Sequence, residues 1–266
     1  MIEPLVVHPG EPARLSERDP AFALGLDKHE GKARLDELRE RLDDLQYRLF
    51  AEAKHSVLLV LQGLDASGKD GVVRSVFSGV NPSGCRVVSF RAPTSTELAH
   101  DYLWRVHASL PARGEIGIFN RSHYEDIVAV RLHHLAPEEV WRRRAAHIRE
   151  WERMLVDEGT RLVKVFLDVS REEQRARLQE RIDDPRKRWK FRRDDLKVYA
   201  RYDEHMAAYE ETITDTSTEW APWHVVPADR NWVKALATAA LLVEALAALD
   251  PQLPPAEPGV EGMRIS

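Results

Sequence analysis

The chain has 266 residues, 43% hydrophobic and 31% charged, with 39 Lys and Arg against 44 Asp and Glu for a net charge of −5. That composition excludes a disordered or collagenous chain, and the acidic balance argues against generic nucleic-acid binding. The single cysteine, Cys85, excludes an intramolecular disulfide or a cysteine-rich metal site and suits a reducing, cytoplasmic compartment.

Met1–Gly10 lacks a basic segment followed by an apolar run, so it does not read as a signal peptide. Residues 1–30, with Pro4, Pro9, Pro12 and Pro20, are expected as an extended arm. Across Lys32–Ala53 the residues Leu35, Leu38, Leu42, Leu45 and Leu49 recur at steps of three and four, which predicts one apolar face of a helix. That seam serves either core packing or a subunit contact, and it is too short to establish a coiled coil.

Ser56–Leu61 is a continuous apolar run of strand length, as expected of a parallel strand buried on both faces. Directly after it comes Gly63-Leu-Asp65-Ala66-Ser67-Gly68-Lys69-Asp70-Gly71, then a plausible helix over Gly71–Ser78. This is G-x-x-x-x-G-K between strand and helix, where glycines let the backbone wrap phosphate oxygens, the helix N-terminus supplies N–H donors and the lysine neutralises charge. A Ser or Thr hydroxyl normally follows that lysine and ligates Mg²⁺, but here the residue is Asp70. A second carboxylate, Asp65, lies within the loop. Two anions beside bound phosphates call for a divalent cation, so Asp65, and Asp70 as an alternative, are assigned to the metal or to orienting the phosphoryl acceptor. For Asp70, favourable charge at a helix N-terminus is an equal explanation.

A second strand is expected at Cys85–Phe90, followed by Arg91 and by a capping box at Thr94–Glu97. Arg91 and Thr94 face the same rim and are read as placing the phosphoryl acceptor. A third strand, Ile116–Asn120, leads into Arg121-Ser-His123-Tyr-Glu125-Asp126. P-loop kinases normally end this strand in a metal-holding acid; Asn120 stands there instead, followed by a planar cation suited to clamping phosphoryl oxygens. Glu125 or Asp126 is read as replacing the missing charge, and His123 as structural. Pro137 is expected to open a helix, Leu162–Val169 to form a fourth strand, and Ser170–Ile182 to form a helix begun by a capping box at Ser170–Glu173.

From Pro185 to Arg193 the chain carries six cations and no acid in nine positions, so all of the negative balance lies elsewhere. The segment follows a helix where nucleotide kinases place an arginine-bearing lid, and six cations exceed what one triphosphate needs. A fifth strand is expected at His224–Val226. Ala235–Leu249 is an apolar core helix, interrupted by Glu244 and too short for a membrane span, and residues 251–266 are expected as a disordered tail. Five strands alternating with helices predict a doubly wound parallel α/β sheet with ligands beyond its carboxyl edge.

Four ordered segments resemble the second polyphosphate kinase family: Gly63–Gly71, Phe119–Tyr124, the Arg181-x-x-x-Pro185-x-Lys187-x-Trp189-Lys190 stretch and Ala221–Asp229. The resemblance covers roughly residues 30 to 250. It implies a thymidylate-kinase-like P-loop kinase core over 31–250, with parallel strands flanked by helices and a helical lid at about 183–212. It also implies Mg²⁺-dependent, or alternatively Mn²⁺-dependent, phosphoryl transfer between inorganic polyphosphate and AMP, ADP or ATP in a homo-oligomer. By position, Asp65, Lys69 and Arg121 match the family's catalytic phosphate site. Arg181, Lys187, Trp189, Lys190, Arg192 and Arg193 match its lid and polyphosphate path. The Phe-Asn-Arg-Ser-His-Tyr-Glu-Asp stretch resembles the branch that accepts both AMP and ADP. The rivals are an ATP-dependent nucleoside monophosphate kinase and a non-catalytic nucleotide or polyanion binder.

Overall fold

A computed structural model describes residues 1–260 and 262–265, so residues 261 and 266 of the expected tail lie outside the described residues. The strands are β1 (Val6–Val7), β2 (Ser56–Gln62), β3 (Cys85–Ser89), β4 (Ile116–Asn120), β5 (Thr160–Asp168) and β6 (Trp223–Pro227). The helices are α1 (Lys28–Glu52), α2 (Lys69–Val76), α3 (Ser95–Leu98), α4 (Trp104–His107), α5 (Glu125–Leu132), α6 (Glu138–Asp157), α7 (Arg171–Asp183), α8 (Arg193–Ala200), α9 (Tyr202–Thr216) and α10 (Asn231–Leu249).

The sheet order is β1-β6-β5-β2-β4-β3. From β2 onward every pairing is parallel, with Leu59 opposite Ile118 on one side and Val163 on the other. The chain leaves β2 for β3 and β4 on one side, then crosses to β5 and β6 on the other. The end of β2 is therefore the topological switch point, where open α/β sheets bind ligands. All seven residues of β2 are buried, as the unbroken apolar run requires of a strand covered on both faces. The coverings are two helix groups, α1 with α2 and α10, and α5 with α6 and α9.

The sheet and the start of α6 differ from the sequence reading. The sheet has a sixth strand and is mixed, because Val6 and Val7 pair antiparallel with His224 and Trp223 of β6. Two residues are too short to show a period, so only tertiary pairing reveals them. Through this strand and through Leu5, Ala13, Leu15 and Leu24, all buried, the arm packs on the core. Pro137 is the residue before α6 rather than its first, with extended backbone at ψ 156.

The leucine seam of α1 is buried and packs on α10, which places it in this chain's own core. The helix starts at Lys28 because Asp27 and Glu30 form a capping box, the Asp27 side chain accepting from His29 N–H at 2.7 Å and Glu30 N–H at 2.9 Å. By length and composition α10 would suffice to cross a membrane, at 19 residues and a mean hydropathy of 1.7. Its residues from Val233 to Leu242 are all buried against the protein, so the apolar content serves packing. Pro251 is buried, and Gln252–Val260 is exposed without helix or strand.

Candidate active site

Between β2 and α2 the backbone takes conformations that most residues avoid, with φ +142° at Gly63, +67° at Ala66 and +100° at Gly68. A Cβ at Gly63 would stand 2.8 Å from the Leu167 carbonyl oxygen, and one at Gly68 would overlap Lys234 Nζ. Space and φ together fix glycine at both positions. Ala66 and Ser67 are buried in the turn, whereas Asp70 and Gly71 are exposed in the first turn of α2. Lys69 opens α2, so its ammonium and the loop N–H groups converge at one helix N-terminus. It donates to the carbonyls of Gly63 at 2.6 Å and Leu64 at 3.1 Å. Burial, helped by Arg121, pushes the Lys69 ammonium down to about 8, which leaves it protonated at neutral pH.

Arg121, the first residue beyond β4, is held at φ +62° while its N–H donates to Leu61 O at 3.0 Å. The left-handed conformation costs a residue with a Cβ roughly 1–2 kcal/mol, so the surrounding fold imposes it. The guanidinium pairs with Asp65 and lies 3.9 Å from Glu125. Burial disfavours both charges, but the pairing wins. Glu125 and Asp65 hold the Arg121 guanidinium above its ordinary value, and Arg121 and Lys69 hold the Asp65 carboxyl below its own. Asn120 Nδ2 donates to Asp70 Oδ1 at 2.6 Å, so the amide at the usual acid position orients a carboxylate on α2.

On the β3 side, Arg91 is exposed and its carbonyl accepts from Arg105 at 2.8 Å. The Thr94 hydroxyl caps α3, accepting from Glu97 N–H at 3.3 Å, while Glu97 accepts from Thr94 N–H at 2.6 Å. Asp126 lies 3.7 Å from both Arg105 and Arg144, yet burial pushes its carboxyl up to about 6. Arg105 and Arg144 were not legible as site residues, since each joins the rim only through tertiary packing. His123 is fully buried with Nε2 3.2 Å from Glu152, in keeping with the structural reading.

The basic segment is partly neutralised within its own surroundings. Lys187 pairs with Glu180 at 2.5 Å and Arg186 with Asp184 at 3.2 Å, while before the segment Arg181 pairs with Asp195 at 3.3 Å and the Arg192 backbone N–H donates to the same carboxylate at 3.2 Å. Trp189 is 77% exposed with Lys190 Nζ 5.2 Å from its ring centre, and Arg193 is exposed at the start of α8. The later part of α9 packs with α5 and α6 and buries Ala208, Tyr209, Thr212 and Ile213. The range 183–212 expected as a lid thus includes residues of α9 that pack into the core. At Ser170 only half of the expected capping box forms, because Glu173 turns to Arg177 instead.

A glycine-rich loop leading to a lysine at the N-terminus of α2, at the switch point of a mainly parallel sheet and with Arg121 beyond the adjacent β4 paired to its Asp65, has the arrangement of a P-loop phosphotransferase. The model of the family Polyphosphate kinase 2 matches residues 25–254, and the chain belongs to that family. It is 55% identical over 224 residues to an AMP/ADP-polyphosphate phosphotransferase of Meiothermus ruber, covering 84% of each chain. Against an ADP-polyphosphate phosphotransferase of Rhodopseudomonas palustris the identity is 46%, over 82% of this chain and 80% of that one. The crystal structure of polyphosphate kinase 2 from Arthrobacter aurescens superposes with a TM-score of 0.92 at 42% identity, over 96% of this chain and 92% of that one.

Proposed function

We infer that this enzyme transfers a phosphoryl group from inorganic polyphosphate to AMP and to ADP, giving ADP and ATP. The observation that carries this reading is the 55% identity to the Meiothermus ruber AMP/ADP-polyphosphate phosphotransferase across 84% of both chains. In the reaction a terminal phosphate oxygen of the nucleotide attacks the last phosphorus of polyphosphate in line. The bond to the bridging oxygen breaks, and the polyphosphate leaves one unit shorter.

Lys69 and the loop N–H groups hold phosphate oxygens, and the Arg121 fork takes up charge that spreads onto the transferring group. Asp65, kept ionised by Arg121 and Lys69, orients the attacking phosphate. Arg91, Asn120, Glu125 and Asp126 bound the nucleotide side, and Thr94 fixes α3 by its cap. Arg181, Lys187, Trp189, Lys190, Arg192 and Arg193 line the polyphosphate path.

The donor set fits a divalent cation. The ionised Asp65 and the exposed Asp70 are hard oxygen ligands on one loop, and Mg²⁺ takes one or two carboxylates and completes its shell with water and phosphates. Among the described residues no group of three or more His, Cys, Asp or Glu is arranged to hold a metal, so the phosphates must contribute. Bound there, Mg²⁺ would screen the charge between the two phosphate chains. We place the enzyme in the cytoplasm, where its nucleotides are, and expect a homo-oligomer, which light scattering decides. Nucleic acid should compete poorly with polyphosphate, since outside the basic segment the chain is acidic.

The test mixes pure protein, Mg²⁺ and long polyphosphate with ADP or with AMP and follows nucleotide products. ATP from ADP, and ADP then ATP from AMP, are expected. If polyphosphate yields neither product while ATP phosphorylates AMP, the enzyme is a nucleoside monophosphate kinase instead.

A further inference from the structure

The phosphate loop presents N–H groups to a ligand only if its carbonyls point elsewhere, and the structure shows what holds them. Five consecutive carbonyls, Gly63 to Ser67, each accept from a side chain. Lys69 takes the first two from within the loop. Gln174 donates to Asp65 O at 2.9 Å, and Arg177 to Ala66 O at 3.1 Å and Ser67 O at 2.9 Å. Lys234 also donates to Ser67 O at 2.9 Å. These three donors come from α7 and α10, behind the loop, and none belongs to the G-x-x-x-x-G-K pattern.

Arg177 does more than touch the loop. Its other terminal nitrogen donates to Ala228 O at 2.7 Å and Asp229 O at 2.8 Å, in the turn from β6 to α10, and its Nε donates to Glu173 at 2.8 Å. One guanidinium has five N–H groups in a fixed plane, and all five find an acceptor here. Lys234 reaches the same turn through Ala228 O at 3.4 Å. Two largely buried basic side chains therefore share the carbonyls of Ser67 and Ala228. Glu173 offsets the Arg177 charge, and burial, helped by Arg177, lowers the Lys234 ammonium to about 7, so the assembly supplies N–H donors behind the phosphate site rather than a fixed positive charge.

We propose that Arg177, with Lys234 and Gln174, is a positioning residue for phosphoryl transfer: it locks the loop carbonyls outward and so sets the N–H groups that bind phosphate. The idea rests on the reading of Gly63–Lys69 as the phosphate site. Because α7 also carries Arg181, paired with Asp195 of α8, the same helix ties the loop to the basic segment. A lysine cannot replace Arg177, since three donors on one nitrogen cannot span the loop, the turn and Glu173 together.

The test uses the full chain and the variants Arg177→Met, Arg177→Lys, Gln174→Met and Lys69→Ala, with AMP or ADP and polyphosphate varied in turn, and with amide hydrogen exchange read at residues 64–68. Arg177→Met should lower kcat/KM at least tenfold for one of the two phosphate substrates and speed loop exchange at least tenfold, while amides of β2 and β5 keep wild-type protection. Arg177→Lys should stay within threefold of Arg177→Met. Gln174→Met, which removes a single bond, should speed exchange at Ala66 in a protein that folds normally, and it carries the test if Arg177→Met does not fold. Wild-type kcat/KM and wild-type loop exchange in Arg177→Met overturn the proposal, as does full recovery in Arg177→Lys. If Arg177→Met does not fold, wild-type exchange at Ala66 in Gln174→Met overturns it equally. Lys69→Ala separates the two readings: if it stays fully active, the phosphate-site assignment itself has failed.

Discussion

Glu152, Lys164, His123 and Tyr124 form a polar knot with no solvent exposure, beneath the segment that presents Arg121. Lys164 Nζ donates to Glu152 Oε2 at 2.7 Å, to the Thr216 carbonyl at 2.7 Å and to the Tyr124 hydroxyl at 3.0 Å. Burial opposes the Glu152 carboxylate, but Lys164 and His123 hold its pKa below the ordinary value. Lys164→Met keeps the stem and removes the charge, stranding Glu152 with only His123 and Tyr124 as partners. Breaking one side of a buried pair costs about 3–5 kcal/mol. For a chain of this size that corresponds to a melting point roughly 6–20 °C lower.

The pH dependence carries a sign. Without Lys164 the buried carboxyl of Glu152 must sit above its unfolded value, and a raised acid stabilises below its unfolded pKa and loses that contribution as pH rises through the folded one. Scanning calorimetry should therefore show the deficit of Lys164→Met largest at pH 8 and smaller at pH 5. Glu152→Gln combined with Lys164→Met should recover at least half of the loss, because no charge is left stranded. A Lys164→Met melting point within about 2 °C of wild type at pH 8, or a deficit that grows on acidification, would refute the ion-pair account.

Asp168 at the end of β5 is buried, and burial, reinforced by Asp229, raises its carboxyl to about 7 against the pull of Arg18. Being raised, it contributes stability that is lost between its ordinary value near 4 and about 7, so Asp168→Asn should flatten a pH-dependent loss on the order of 3 kcal/mol between pH 5 and pH 8 in denaturant titrations. Arg121→Lys keeps a cation but loses the planar fork, and kcat should fall by about 10²–10³ in the polyphosphate-to-ADP assay with little change in melting temperature. Replacing Lys187 and Lys190 by Ala should weaken polyphosphate use and flatten its salt dependence while leaving ADP binding near wild type, which titration calorimetry at two ionic strengths reads directly.

The sequence made much of this molecule legible where chemistry and local pattern coincide. Ser56–Leu61 announced a doubly covered strand, Gly63–Lys69 announced its own backbone, and the leucine seam of α1 matched the burial found. What it concealed depends on distance in the chain. Val6 and Val7 become a strand only by meeting β6, and Arg105 and Arg144 reach Asp126 only after folding. Arg177 looks like one more surface arginine on a polar helix until its five donors are followed. Lys234 did leave a trace, as the one cation in the apolar run Asn231–Leu249, a position where a charge has to have a partner.

The packing of α1 on α10 also bears on how the protein is made. On the ribosome, Leu35, Leu38, Leu42, Leu45 and Leu49 emerge early, and the helix that covers them is translated only after β6. The pairing of Val6 and Val7 with β6 waits equally long. Long-range contacts of this kind raise contact order and slow folding, and they leave an apolar seam open to chaperones and to neighbouring nascent chains throughout synthesis. A premature stop before Asn231 would thus release a chain whose leucine seam never finds its cover, and aggregation or proteolysis should claim it before any loss of catalysis is felt.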